Sequence, residues 1–283
     1  NSCWIALLVS AVVTINMAAA ATFIVFALCL LSHPPTTATL TSLSSTDDDP
    51  CHIRTDDVPC LHVPNCQSGT ATYSHFKITN TPTTQLATTP TRGTICWNEF
   101  GISVTEQATD QHVFTPWTQC NDPVFVNSSV LEIFVAPVQS PLDNPQWYFE
   151  LDTAPSGTMW SGLSNNSRGN SSTCVSSNGC SQPGTLSCTG KSTFHHHLTT
   201  RAFNTTDGWG IELHIPFALF SNAYQPTSTM KPWSVWRMNF YRYSYPNGSN
   251  PDFSNYELSG WSPTHDPSFH VPARFGIVVL DEL

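Results

Sequence analysis

The chain has 283 residues, a formal net charge of −10 and only 11% charged residues. That balance excludes a surface that tracks nucleic-acid phosphates, which needs clustered Lys and Arg. Few charges beside many Ser, Thr and Asn fit an extracellular β protein.

Residues 1–31 open the chain, and Cys3 to Leu31 is apolar and uncharged. A membrane anchor and a secretory signal peptide both fit such a run. Read from Met17, MAAAATFIVFALCLLS has signal-peptide length. Residues 32–50 are rich in Ser, Thr and Pro and read as a linker. Residues 51–69 hold three cysteines and read as a disulfide-tied lead-in. Residues 70–283 then form one domain by size.

The domain reads as β throughout. Thr94 to Asn98 and Ile102 to Glu106 form a hairpin around Glu99-Phe100-Gly101. Val130 to Val138 is a strand ended near proline. In Gln146 to Asp152, Trp147, Phe149 and Leu151 share one face, and Tyr148, Glu150 and Asp152 the other. Gly157 to Leu163 pairs with it. Gly210 to Pro216 turns Ile211, Leu213 and Ile215 inward. Pro216 stops that strand, and Phe217 to Phe220 makes a helical turn. In Ser234 to Tyr243, Trp236, Met238 and Phe240 face one way; Arg237, Asn239, Tyr241 and Tyr243 face the other. Arg237 is expected to pair with Glu132 or Glu150 across the sheet. Many short strands between Gly, Pro and Asn turns predict a single antiparallel β-sandwich with jelly-roll or immunoglobulin-like layers. Residues 164–192 are a long Ser/Asn/Gly loop. Trp261 to Gly276 carries prolines that forbid a helix, and it feeds a last buried strand from Arg274 to Leu280.

Ten cysteines are present. Cys3 and Cys29 lie in the leader. The other eight are Cys51, Cys60, Cys66, Cys96, Cys120, Cys174, Cys180 and Cys188, an even set that fits an oxidising compartment. Cys96 with Cys120 is a plausible local staple, as is a bridge among Cys174, Cys180 and Cys188. No C-x-x-C pair supports zinc. Sequons at Asn127, Asn165, Asn170, Asn204 and Asn247 add to a secreted-glycoprotein reading. His195-His196-His197 reads as a surface run, because adjacent strand residues point to opposite faces.

Four blocks in order resemble the family 9 carbohydrate-binding modules: Asn121 to Pro137, Trp147 to Trp160, Asp207 to Phe220 with Trp233 to Pro246, and WSPTHDPSFHVPARFG at Trp261 to Gly276. The resemblance covers about 160 residues and is similar to the DOMON-like sandwiches in general layout. It implies a β-sandwich that binds oligosaccharide or polysaccharide without catalysis, alongside polysaccharide breakdown. It places the two sugar-clamping aromatics at Phe125 and Phe269, the hydroxyl-binding carboxylate at Glu132 and a further polar group at Asp266. Trp117 and Trp261 are additional candidates for ligand contact. Both clamps are tryptophan in the family and phenylalanine here. A family arginine falls on Glu150, which has the opposite charge. A structural calcium is implied by the resemblance alone, with Asp122, Asp143, Asp152 and Asp207 offering oxygens.

Blander readings stand beside these. Phe125 and Phe269 are candidates for the core, and Trp261 for bracing its loop. Glu132 faces a groove or solvent. Carboxylates that a glycosidase would need are present, but no catalytic signature surrounds them. An adhesive or structural module on the same fold is the alternative function.

Overall fold

In a computed structural model, the described residues are 49–53, 57–81, 85–138, 144–165, 181–183, 198–223, 235–246 and 256–281. They belong to one structural unit, Thr46–Leu283. The leader, most of the linker, Asp143, Asn170, Cys174, Cys180, Cys188, His195 to His197, Trp233 and Asn247 lie outside the described residues. No helix among the described residues is long and apolar enough to cross a membrane.

The strands are β1 (Cys60–Val63), β2 (Ala71–Tyr73), β3 (Lys77–Ile78), β4 (Thr91–Asn98), β5 (Gly101–Thr109), β6 (Val130–Val138) and β7 (Trp147–Thr153). They continue as β8 (Met159–Asn165), β9 (Ser181–Pro183), β10 (Thr199–Asn204), β11 (Gly208–Pro216), β12 (Val235–Ser244), β13 (Glu257–Gly260) and β14 (Gly276–Leu280). Two short helices, α1 (Pro50–Ile53) and α2 (Ala218–Ala223), accompany them. A five-stranded sheet runs β10-β11-β5-β4-β2. A nine-stranded sheet runs β1-β14-β12-β6-β7-β8-β9, with β13 also on β12 and β3 beyond it. This is the sandwich that the alternation predicts. One pair departs from the antiparallel expectation: β1 lies parallel to β14, with Leu61 opposite Val278. The Cys-rich lead-in is therefore part of the larger sheet.

The β4–β5 hairpin shows how local chemistry sets register. Asn98 Oδ1 accepts from the backbone N–H groups of Phe100 and Gly101, an Asx turn. Gly101 is needed for close approach, since a Cβ there would sit 2.2 Å from the Ile215 carbonyl oxygen. Between the sheets pack Ile95, Trp97, Ile102, Val104, Leu213 and Ile215 from one side. Ile133, Val135, Phe149, Leu151, Trp236, Met238, Phe240 and Val278 face them from the other. Each fully buried side chain of this size contributes about 1.5–3 kcal/mol relative to exposure. These are the inward faces that the period-2 patterns select.

The cysteine pairing differs in one place from expectation. Cys51 bonds Cys60, and Cys66 bonds Cys96, not Cys120. The cause is local. The backbone N–H of Cys66 donates to the Trp97 carbonyl, and Asn65 bridges Trp97, which lays Cys66 beside β4. The Cα atoms are 4.9 Å apart, within disulfide reach. Cys120 is disulfide-bonded as well.

Arg242, on the inner face of β12, ties the sheets together. It donates to the carbonyls of Pro90 and Thr109 and to Thr91 Oγ1, and lies 3.2 Å from Asp110.

Candidate functional site

The site lies on the outer face of the nine-stranded sheet. Ile133 and Val135 point into the core, so Glu132 and Phe134 point away from it. The same alternation on β7 turns Tyr148, Glu150 and Asp152 outward, and on β12 it turns Arg237, Asn239, Tyr241 and Tyr243 outward. Register places Glu132 opposite both Asp152 and Tyr241, with Phe134 opposite Glu150.

This outer face is not open to water. The segment from Trp261 to Phe275 lies across it, held by polar side chains of β12. Arg237 donates to the carbonyls of Phe275 and Ala273. Its expected partnership with Glu132 or Glu150 does not form, because the loop carbonyls of Pro272, Ala273 and Phe275 take the guanidinium. Asn239 donates to the Ser262 carbonyl and accepts from the Ser262 N–H. Tyr241 donates its hydroxyl to the Phe269 carbonyl at 3.1 Å. The loop contains a single 3-10 turn, Pro272–Arg274, with proline in its first turn, where no donor is lost.

Beneath this cover, Glu132, Glu150 and Asp152 are 2%, 5% and 0% exposed. One carboxylate oxygen from each lies within 4.8 Å of the others. Glu132 Oε1, Glu150 Oε2 and both Asp152 oxygens have no hydrogen-bond partner. Glu132 therefore faces neither an open groove nor solvent. Burial pushes all three carboxyl groups up, Glu150 to about 8. Like charge adds to burial at Glu132, from Glu150, and at Asp152, from Glu132 and Glu150. His270 Nε2 is 3.7 Å from Glu150 Oε2, but burial pushes this imidazole down to about 4, so it is neutral at neutral pH. Its Nδ1 lies 2.8 Å from the Tyr148 hydroxyl.

Aromatic rings surround the carboxylates. Phe269 is 4% exposed, stacked on Tyr241 at 4.1 Å and 8°, with Tyr243 edge-on at 5.1 Å. One face of Phe269 is thus covered by protein. Phe125 is half-buried and meets Trp160 edge-on at 5.1 Å. Trp117 is also half-buried, with its indole N–H on the Val126 carbonyl. Phe125, Trp117 and Tyr243 pack around Val124, Val130, Ala154 and Trp160 at one end of the outer face. Trp261 packs in the core against Phe240 and Tyr73, and a Cβ on Gly276 would meet its ring at 2.2 Å. It braces its loop from within. Asp266 Oδ1 accepts from the Ser268 N–H and shapes the turn before Phe269.

The calcium candidates do not converge as a set. Asp122 accepts from the N–H groups of Thr118 and Gln119, a local turn device, and Asp207 from the Thr205 hydroxyl nearby and the Thr109 hydroxyl at the end of β5. Only Asp152 among the described ones joins a carboxylate group. Sequence reasoning missed its association with Glu132 and Glu150, and missed Tyr148, Tyr243 and His270 around it. The signal was present: acidic residues at alternate positions of one strand, opposite a third on its neighbour. Of the sequons, Asn127 lies at a turn with φ 53°, a conformation that Asn tolerates, and Asn204 ends β10. An open cleft of about 480 Å³ lies elsewhere, lined by Thr118, Ser156 to Met159 and Leu198 to Thr200, and holds none of the three carboxylates.

No protein-family model matches the chain, and no curated protein matches it in sequence. Solved structures do. A protein from Bacteroides uniformis, provisionally described as carbohydrate-binding, aligns with TM-score 0.56 at 14% identity, over 79% of this chain and 100% of its own. A family 9 carbohydrate-binding module from Caldicellulosiruptor kristjanssonii aligns in its cellotriose complex with TM-score 0.46 at 10% identity, over 79% of this chain and 94% of its own. Its glucose complex aligns with TM-score 0.46 at 9% identity, over 79% and 96%. The first of these likenesses establishes the fold: a β-sandwich shared with the Bacteroides protein.

Proposed function

We propose that this chain is a non-catalytic carbohydrate-binding module, similar to family 9, on a secreted or membrane-tethered glycoprotein. The observation that carries the reading is the outer sheet face. One end of it presents half-buried aromatic rings, the groups that stack on the flat C–H faces of a polyol. Half-buried Phe125, Trp117 and Tyr243 supply the reachable ring edge, while Glu132 lies beneath the C-terminal loop. The fold shared with a protein described as carbohydrate-binding supports the reading. The disulfides and the sequon at Asn127 support an oxidising, extracellular setting. Polysaccharide is the partner class, and a role beside polysaccharide breakdown follows from the resemblance.

Affinity electrophoresis of the full chain against plant, algal and microbial polysaccharides tests this. Retention is expected with Kd in roughly the micromolar to millimolar range, about −4 to −8 kcal/mol. Phe125→Ala is expected to abolish it while the fold, read by circular dichroism, persists. A chain that binds no glycan removes the reading. A second reading, an adhesive or structural sandwich with a filled site, is favoured by the closed stack of Phe269 on Tyr241. It predicts no retention on any polysaccharide and a folded, stable domain.

A further inference from the structure

Glu132, Glu150 and Asp152 pose a physical problem that the sugar reading does not resolve. Three carboxylates are packed on one buried face, and four of their oxygens have no partner. Uncompensated buried charge is costly, so such groups neutralise or take up a cation. The basic side chains of the neighbouring elements do not supply that charge. Arg237 is committed to the carbonyls of Phe275 and Ala273, and Arg242, on the opposite face of β12, to Asp110. Arg274 bonds Asp57 and the Pro263 carbonyl, and His270 is held at its Nδ1 by the Tyr148 hydroxyl.

The geometry fits an ion. A calcium ion holds oxygens at about 2.3–2.6 Å, so two oxygens on one ion lie up to about 5 Å apart. The three ligand oxygens here lie within 4.8 Å of one another. Three carboxylates bring up to six oxygens when bidentate, the lower end of what calcium takes. All donors are hard oxygens, which favours calcium, magnesium or manganese over softer metals. The other acidic grouping, Asp49, Cys51 and His62, is unlike it, because its sulfur is tied up in the Cys51–Cys60 disulfide. Asp152 is the decisive member: it is wholly buried, and neither oxygen has a partner.

We propose that Glu132, Glu150 and Asp152 form a binding site for one hard divalent cation of the calcium class, on the outer face of the larger sheet beneath the C-terminal loop. The bound ion offsets two of the three carboxylate charges and cross-links β6 to β7. The site sits under the loop that the β12 side chains hold down, so its occupancy stiffens the region around Phe125 and Phe269. It does not depend on sugar binding.

The test uses the full chain stripped by chelator, with no glycan present. Calcium is titrated by calorimetry and terbium by luminescence. Sensitised terbium emission needs a nearby indole or phenol, and Trp160 stands directly opposite Asp152 on β8. Wild-type protein is expected to bind one ion per chain, to gain thermal stability with calcium and to sensitise terbium. Asp152→Asn and Glu150→Gln are expected to weaken calcium binding at least about tenfold. Trp160→Phe is expected to dim terbium and leave the calcium Kd unchanged. Absence of calcium, magnesium, manganese and terbium binding up to millimolar concentration in the folded wild type overturns the proposal, and shared protons then hold the trio. Wild-type affinity in a folded Asp152→Asn chain overturns it equally, since the ion then lies elsewhere. Because glycan is absent throughout, the outcome is independent of the sugar reading.

Discussion

Two buried acidic regions lie on opposite faces of β12, and they are built on opposite principles. On the inner face, Asp110 lies 3.2 Å from Arg242 and accepts from Ser129 Oγ and the His112 N–H. Glu106 accepts from the Tyr73 hydroxyl at 3.0 Å and feels the same guanidinium. On the outer face, Glu132, Glu150 and Asp152 have one another and no basic partner that is charged at neutral pH. The first arrangement explains itself as a tie between two sheets. The second does not explain itself without a further species. A buried acid supplied with donors is architecture; one left without them points to a ligand or a proton.

The largest test of this contrast is removal of the cation on the partnered side. Arg242→Met keeps the bulk but strands Asp110 and frees the Pro90 and Thr109 carbonyls. Breaking a buried pair in this way costs about 3–5 kcal/mol. Urea denaturation at neutral pH should show a loss of that order. A loss below about 1 kcal/mol would mean that the sheets are tied by hydrophobic packing alone, and the contrast between the faces would collapse.

The next effect is pH dependence in chelator. Burial holds the Glu150 carboxyl up at about 8, against about 4.3 in an unfolded chain. A carboxyl raised in the fold keeps its proton more tightly there than when unfolded. Its contribution to stability is therefore fully present below about pH 4.3 and is lost as pH rises toward about 8. The slope approaches about 1.4 kcal/mol per pH unit for each such group inside that window. Glu106 is also raised to about 8 by burial, so Glu106→Gln separates the two faces. In that variant the fall in stability above about pH 6.5 belongs to the outer trio, because His270, pushed down to about 4, adds an opposing slope only below that pH, and saturating calcium should flatten the fall. A pH-independent stability between about 6.5 and 8 in chelator would contradict the uncompensated trio.

Much of this was legible in the chain. The hairpin around Gly101, the helical turn after Pro216 and the inward faces of β7, β11 and β12 all follow from period-2 alternation with Gly and Pro stops, and β6 from its apolar run. What alternation cannot report is whether an outward face stays wet. Tyr148, Glu150 and Asp152 read as a polar face. Only the fold brings Phe269 and Phe275 down onto the sheet through Arg237, Asn239 and Tyr241. The same limit misplaced Arg237, whose nearest acceptors are loop carbonyls some 35 residues away along the chain. Cys66 likewise meets Cys96 through a backbone bond at Trp97 that spacing does not reveal. The candidate site was half legible: Glu132 and Phe125 fall at it, whereas its closure was invisible.

The smallest effect is also the most direct, because it changes charge without changing shape. In chelator at pH 8, Asp152→Asn removes one of three mutually repelling carboxylates and leaves a side chain of the same size. The partnered side predicts that neutralising a buried acid destabilises, since Asp110→Asn weakens its attraction to Arg242. The outer trio predicts the reverse. Like charge from Glu132 and Glu150 adds to burial in holding the Asp152 carboxyl up, so the Asn variant should be more stable than wild type. Adding calcium should then invert the order, because only the wild type retains all three ligands for the ion. Thermal denaturation of the two proteins, each with and without calcium, reads all four values. An Asp152→Asn chain that is less stable than wild type in chelator would show that Asp152 has a protein donor after all, and would place the trio with the partnered acids.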